Sequence, residues 1–577
     1  MRTAGTFACV VAGCWVLRVL CQVGYGQLLV YKARKRCAQI RAKRPTLPVV
    51  SPAVKARVLS LQAWELVQEM KAGRLLCIEV MATFIERACS IGHDLNLTAQ
   101  EVFQEALAAA SAADRQREQQ PDSLGLLFGL PVSLKDQIQQ RGCACTGGCI
   151  RNSLPVHTSD SPLVTLIRKE GGIPFVRSNL TQLMMWIETE SHLYGRAENP
   201  WDRSRSTGGS SGGETGLIAA RCSSLGVGSD IGGSIRNPAS WCGVCGFKPT
   251  PQRVRFAGVG SPCLEQPGST THLVPPAIGP IGKCVEDLTL LLRTWWQQAA
   301  FLLDPQLMPL PFDSAVYAAY SSGSQKLRVG FYTYDGLFDC HPAAIRLLTE
   351  AKERLQALGC EIVPFAVPDM SEVFRGFVQA ALGAGVQEAE EGLGAEPPCW
   401  FYRKLLAVGS NRLLKAVAKV GLRLLGYGRL VSLGNVQAEL DSREFMCLHR
   451  FFADYQLRFT RQWTALGLDV MLCAATALPA PLHGQTDFLI MQQSTLWLWN
   501  VLRYPSGVIP LGQVLPSEQY YSSSVSDSIT ARANAAMQGT AGLPVAVQVV
   551  SLPYQDEKAL GVLKLLEDLF QFRKHPL

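Results

Sequence analysis

Acidic side chains are missing from two long stretches of this chain. None precedes Glu65, and none lies between Trp400 and Ala438. Within the first gap Lys32, Arg34, Lys35, Arg36, Arg41, Lys43 and Arg44 crowd one short stretch, so the net charge of +8 is local rather than spread. Local positive charge suits a membrane surface or a nucleic acid. Internal repeats of about 20–50 residues are lacking, as are low-complexity tracts, which excludes a solenoid or a disordered array. With 47% apolar and 18% charged residues the chain has the composition of a folded protein with a large core. Disulfide-scaffold spacing is absent too: the nineteen cysteines are odd in number and scattered, as in a chain with reduced, mostly buried thiols on the cytosolic side. Cys242 and Cys245 form a Cys-x-x-Cys without a second ligand pair, and they read as packing residues. None of the eight histidines has metal-binding spacing or sits beside the serine-rich loops described below. A metal centre or a Ser–His–Asp triad therefore has little support. Neither G-x-x-x-x-G-K-[ST] nor G-x-G-x-x-G occurs, so the common phosphate cradles are excluded.

Long apolar runs are rare, and the clearest spans residues 6–31. A bilayer takes about 20 helical residues to cross, so the length suffices although Arg18 interrupts it. A cleaved signal peptide is the rival, with Arg2 followed by the short apolar run 7–17. The basic cluster that follows opposes export, because positive charge beside a span stays cytosolic. The expected organisation is a membrane anchor at 1–31, a basic Pro-containing linker at 32–58 and a catalytic domain at 59–577. Helical periodicity runs over 59–71, 78–91, 100–113 and 161–171. Strand-like runs fall at 126–134, 173–176, 327–332, 361–366 and 545–550. Their alternation predicts an α/β fold, a large central sheet covered by helices in one large domain.

Residues 208–246 hold eleven glycines in 39 positions. Glycine weakens helices and strands, so this density needs a backbone reason such as tight turns or close approach to a substrate. Two clusters, Gly-Gly-Ser210-Ser211-Gly-Gly and Ser229-Asp-Ile-Gly-Gly-Ser234, place serines on turns, and 214–220 between them can form a helix. Gly208-x-Ser210-x-Gly212 matches the G-x-S-x-G elbow, but that motif needs a preceding strand and 199–207 reads as loop. A flexible Gly/Ser linker fits poorly, because Leu217-Ile-Ala-Ala and Leu225-Gly-Val are packed between the glycines.

With these motifs the chain resembles the amidase signature family, and most closely its membrane-bound fatty-acid amide hydrolases. The likeness covers roughly residue 59 to the C-terminus. It is densest in Gly129-Leu-Pro-Val-Ser-Leu-Lys135, in 208–250, in Tyr504-Pro-Ser-Gly-Val-Ile-Pro510 and in Gly542-Leu-Pro-Val-Ala-Val-Gln548. The resemblance implies the mixed, twisted sheet of that family and a Ser–Ser–Lys relay without cofactor or metal. Ser234 would be the nucleophile, and Ser210, after a cis peptide bond, would bridge it to Lys135. Lys135 would be the base, provided that burial lowers its pKa from about 10.4. Backbone N–H groups of Ile231, Gly232, Gly233 and Ser234 would form the oxyanion hole. Met184 would contact substrate, while Asp230 and Arg236 would hold the loop and Ser211 would be structural.

The substrate is the open question, since relatives also act on small amides or on glutamine. Lipid is favoured by the N-terminal run and by 412–425. There, at about 100° per residue, Arg412, Lys415, Lys419 and Arg423 share an arc of about 80° opposite Leu413, Leu414, Val417, Val420, Leu424 and Leu425. A basic amphipathic helix suits a bilayer interface, and the resemblance implies a membrane-binding cap at about 400–430. The expected partners are a lipid amide, the bilayer and a second copy of the chain, with no nucleic acid. The expected place is an endomembrane such as the endoplasmic reticulum, with the catalytic domain cytosolic. The alternatives are an amidotransferase-type enzyme acting on glutamine and a catalytically inactive scaffold. Arg221 and the segment 371–396 depart from the family pattern, which puts the acyl-chain preference in question.

Overall fold

The strands foreseen by alternation join one sheet. The computed structural model describes residues 24–576 except 155, 255–256, 261–272, 305, 383–390, 404–411 and 434–439. The sheet has eleven strands. They are β1 (Thr98–Glu101), β2 (Pro131–Lys135), β3 (Ile173–Ser178), β4 (Leu225–Asp230), β5 (Cys245–Lys248), β6 (Ala277–Gly282), β7 (Arg328–Phe331), β8 (Glu361–Pro364), β9 (Val470–Ala474), β10 (Ser506–Gln513) and β11 (Pro544–Val550). Their order is β1-β3-β2-β4-β6-β5-β10-β11-β9-β7-β8. Pairing is parallel between β3 and β2, β2 and β4, β9 and β7, and β7 and β8, and antiparallel elsewhere. The sheet is therefore mixed, and β2, β3, β4 and β11 are buried along their whole length. Helices that matter below are α1 (24–42), α2 (Pro52–Ser60), α3 (Gly212–Ala219), α4 (Arg236–Cys242), α5 (Met370–Leu382), α6 (Arg412–Leu424), α7 (Ser442–Ala465) and α8 (Ser494–Val501).

Three local readings change. The helix expected from residue 100 begins at Phe103, because 98–101 is the edge strand β1 pairing antiparallel with β3. The loop expected at 199–207 contains the short strand Asp202–Ser206, paired with Glu198–Asn199 outside the main sheet. The strands β4 and β6 are glycine-rich, and neither was foreseen as a strand. A Cβ on Gly226 of β4 would meet Glu214 Oε1 of α3 at 2.3 Å, so glycine there lets helix and strand close together.

Residues 1–23, most of the expected anchor, lie outside the described residues. No helix among the described residues is long and apolar enough to cross a membrane. The stretch read as linker is largely helical, holding the end of α1 and most of α2. α1 lies on the body along Gly26, Val30, Ala33, Cys37 and Arg41, a face spaced three or four residues apart. A Cβ on Gly26 would meet Ala395 O at 2.7 Å. Ala33 and Cys37 pack on Ala99, Leu193 and Tyr194, and Arg41 donates to Thr98 O at 2.6 Å. The cap helix α6 forms where expected. Val417, Val420 and Leu424 are exposed on it and Leu425 just after it, whereas Leu422 packs on the core.

Candidate active site

Lys135 is the last residue of β2, two positions after Ser133, so both side chains leave the same face of the sheet. On that face α3 lies close over β4. The Lys135 side chain is wholly buried. Its Nζ donates to Ser210 Oγ at 2.7 Å and to Ser229 Oγ at 2.9 Å, and Ser229 in turn donates to Gln137 Oε1 at 2.9 Å. Burial pushes the Lys135 amine down to about 7, against the pull of Asp230 and Glu214 toward the charged form. Around neutrality about half of such a lysine is free to accept a proton. Glu214 is itself buried, accepts from the Ser133 hydroxyl and is pushed up to about 7 by burial.

Ser210 follows Gly209 through a cis peptide bond. The next residue, Ser211, donates its backbone N–H to Ser234 O at 3.2 Å, which ties the two serine loops together. Between β4 and α4 the loop 231–235 turns around one carboxylate. Asp230 accepts from the Gly233 N–H at 2.8 Å, from the Ile235 N–H at 3.2 Å, from two nitrogens of Arg236 at 3.0 Å each and from Asn500 Nδ2 at 2.9 Å. Burial alone would raise this carboxyl; Arg236 more than reverses that and holds it well below the usual carboxylate range. The loop-holding roles expected of Asp230 and Arg236 are thus met. Of the four N–H groups expected at an oxyanion, that of Gly233 donates to Asp230 in this structure.

Beside Ser234 lies an apolar cavity of about 70 Å³. Met184, Ile231, Gly232 and Ser234 line it, together with Phe377 and Trp497. The structure therefore gathers the predicted residues into two adjoining groups. Lys135 and Ser210 meet in the buried one, while Ser234, Met184, Ile231 and Gly232 face the cavity. Four functional neighbours were not singled out. Ser229 and Gln137 extend the lysine's hydrogen bonds, and Trp497 and Asn500 reach the loop from α8. Only Ser229 had a signal, its place in the second glycine–serine cluster. Cys242 and Cys245 are buried free thiols, in keeping with their packing role.

A family model described as "Amidase" matches residues 79–560. The chain belongs to the amidase signature family. It is 33% identical over 544 residues to fatty-acid amide hydrolase 1 of Sus scrofa, covering 90% of this chain and 87% of that one. It is 30% identical over 531 residues to fatty acid amide hydrolase 1 of Caenorhabditis elegans, covering 88% of each. A solved fatty acid amide hydrolase shares the fold, with a TM-score of 0.80 and 22% identity over 95% of both chains. As an amidase signature hydrolase, the chain combines its family's sheet with a buried lysine–serine pair and an apolar cavity lined by Ser234.

Proposed function

We propose that this hydrolase cleaves lipid amides, primary fatty-acid amides and N-acylethanolamine-type lipids, to fatty acid and amine through an acyl-enzyme on Ser234. The observation that carries the reading is the 2.7 Å hydrogen bond from Lys135 Nζ to Ser210 Oγ in a fully buried setting. Ser234 Oγ attacks the amide carbonyl. Its proton passes to Ser210, whose own proton goes to the neutral amine of Lys135. The carbonyl oxygen becomes an oxyanion at the N–H groups of the 231–234 loop. On collapse the carbon–nitrogen bond breaks, and Lys135 returns the proton through Ser210 to the departing amine. Water then cleaves the ester by the same relay, releasing the acid and restoring Ser234.

A lipid substrate is supported by the apolar lining of the cavity and by the exposed valines and leucines of α6. It is also supported by the fatty-acid amide hydrolases among the relatives. α6 would dip into a bilayer interface, with residues 6–31 as an anchor, the body on the cytosolic side of an endomembrane and two copies pairing there. The test is labelling by a fluorophosphonate probe alongside turnover of oleamide and glutamine. Labelling should be lost in Ser234→Ala, and oleamide should be the better substrate. Labelling that survives Ser234→Ala sinks the mechanism, and a preference for glutamine sinks the lipid reading.

A further inference from the structure

α8 presents one face to the 231–234 loop. Leu496, Trp497 and Asn500, at spacings of one and four residues, each touch a different part of it. A Cβ on Gly233 would meet Leu496 Cδ1 at 2.6 Å, and Asn500 Nδ2 donates to Asp230 at 2.9 Å. Between them Trp497 Nε1 donates to the carbonyl of Gly232 at 3.0 Å. In a trans peptide the C=O and the following N–H point in opposite directions. The Gly232–Gly233 peptide is therefore gripped at both ends, its carbonyl by Trp497 and its N–H by Asp230 at 2.8 Å. Holding that plane constrains the neighbouring Gly232 and Ser234 N–H groups, two of those expected at an oxyanion.

The same indole is a wall. Phe374 and Phe377 of α5 stack on the Trp497 ring, with centroids 4.6 and 4.3 Å away. Both come from the segment 371–396, where the sequence departs from the family pattern. A Cβ on Gly232 would meet Phe377 Cζ at 2.7 Å and Trp497 Nε1 at 3.2 Å, so the aromatic pair closes directly over the loop. The cavity left beside Ser234 is about 70 Å³, whereas pockets for drug-sized ligands reach about 300–1,000 Å³. We propose that Trp497 is a specificity and positioning residue of this amidase: its ring, backed by Phe377, limits the acyl length accepted beside Ser234, and its N–H orients the Gly232 peptide.

The inference rests on the lipid-amide reading, and two measurements separate their fates. The first is calorimetric binding of a primary-amide series of increasing chain length to Ser234→Ala and to Ser234→Ala/Trp497→Val. Affinity should rise and then level off in the first protein and keep rising to longer chains in the second. Coincident plateaus overturn the wall, and binding of no amide by either protein overturns the acyl-pocket reading with it. The second is the fluorophosphonate labelling rate of Trp497→Phe, which keeps an aromatic ring and loses the N–H. The maximal rate should fall about tenfold, the scale of one well-placed hydrogen bond, with the half-saturating probe concentration unchanged. A maximal rate equal to that of the wild type, or a loss confined to half-saturation, overturns the positioning role.

Discussion

Lys135 sits in surroundings that favour an uncharged amine. Because burial lowers its pKa to about 7, the neutral fraction grows as pH rises through that value, and activity should rise from about pH 6 and level off above about pH 8. Lys135→Ala should flatten this profile. It should also slow amides far more than matched esters, because an amine needs a returned proton and an alkoxide leaving group needs it less. Equal losses on paired ester and amide substrates would speak against the relay. Ser210 stood out in a dense glycine–serine cluster, whereas Lys135, in a stretch with a single glycine, was legible only through the family resemblance. Ser229 and Gln137 were not. Their contribution depends on β4 lying beside β2, a pairing between residues about ninety positions apart that no local pattern announces. Trp497 was hidden for the same reason, since it reaches Gly232 across 265 positions of chain.

At the scale of elements, helices with clear periodicity were readable and glycine-rich strands were not. Glycine in β4 reads as turn in a sequence, yet there it admits α3 against the strand. The amphipathic α6 was readable from spacing alone, and its apolar side is solvent-facing at Val417, Val420 and Leu424, which are 64%, 55% and 83% exposed. A helix that merely covered the core would turn those residues inward. Replacing all three with Asp should weaken vesicle binding by about tenfold or more, since each apolar side chain contributes about 1.5–3 kcal/mol when buried in lipid. In flotation or sedimentation assays the wild type should stay with vesicles that release the variant. Turnover of long-chain amides delivered from bilayers should fall with it, while a short soluble amide should be cleaved as before. Parallel loss of both activities would show α6 to be part of the catalytic core.

Across the whole molecule, α1 joins the N-terminal run to the body by a tight seam instead of a flexible tether. The chain cut before residue 24 is the reference for this seam. Cutting the chain after residue 42 exposes Ala99, Leu193 and Tyr194 and should lower melting by about 1 °C per kcal/mol of lost packing in a chain of this size. Equal melting of the two truncations would show the seam to be weak. The wholly buried Lys135 bears on the stability of the entire fold. The unfolded chain holds that lysine's proton up to about pH 10.4, whereas the native state releases it near 7. Unfolding is therefore assisted at neutral pH by about 4 kcal/mol, and native stability rises as pH climbs through the window between those values. Lys135→Met would remove this liability and forfeit two hydrogen bonds of about 1 kcal/mol each. The inactive variant should melt higher than the working protein at pH 7, and the gap should narrow toward pH 10. Under the proposed relay the architecture would be sturdier without the residue that works it, a stability–activity conflict concentrated in a single ammonium group.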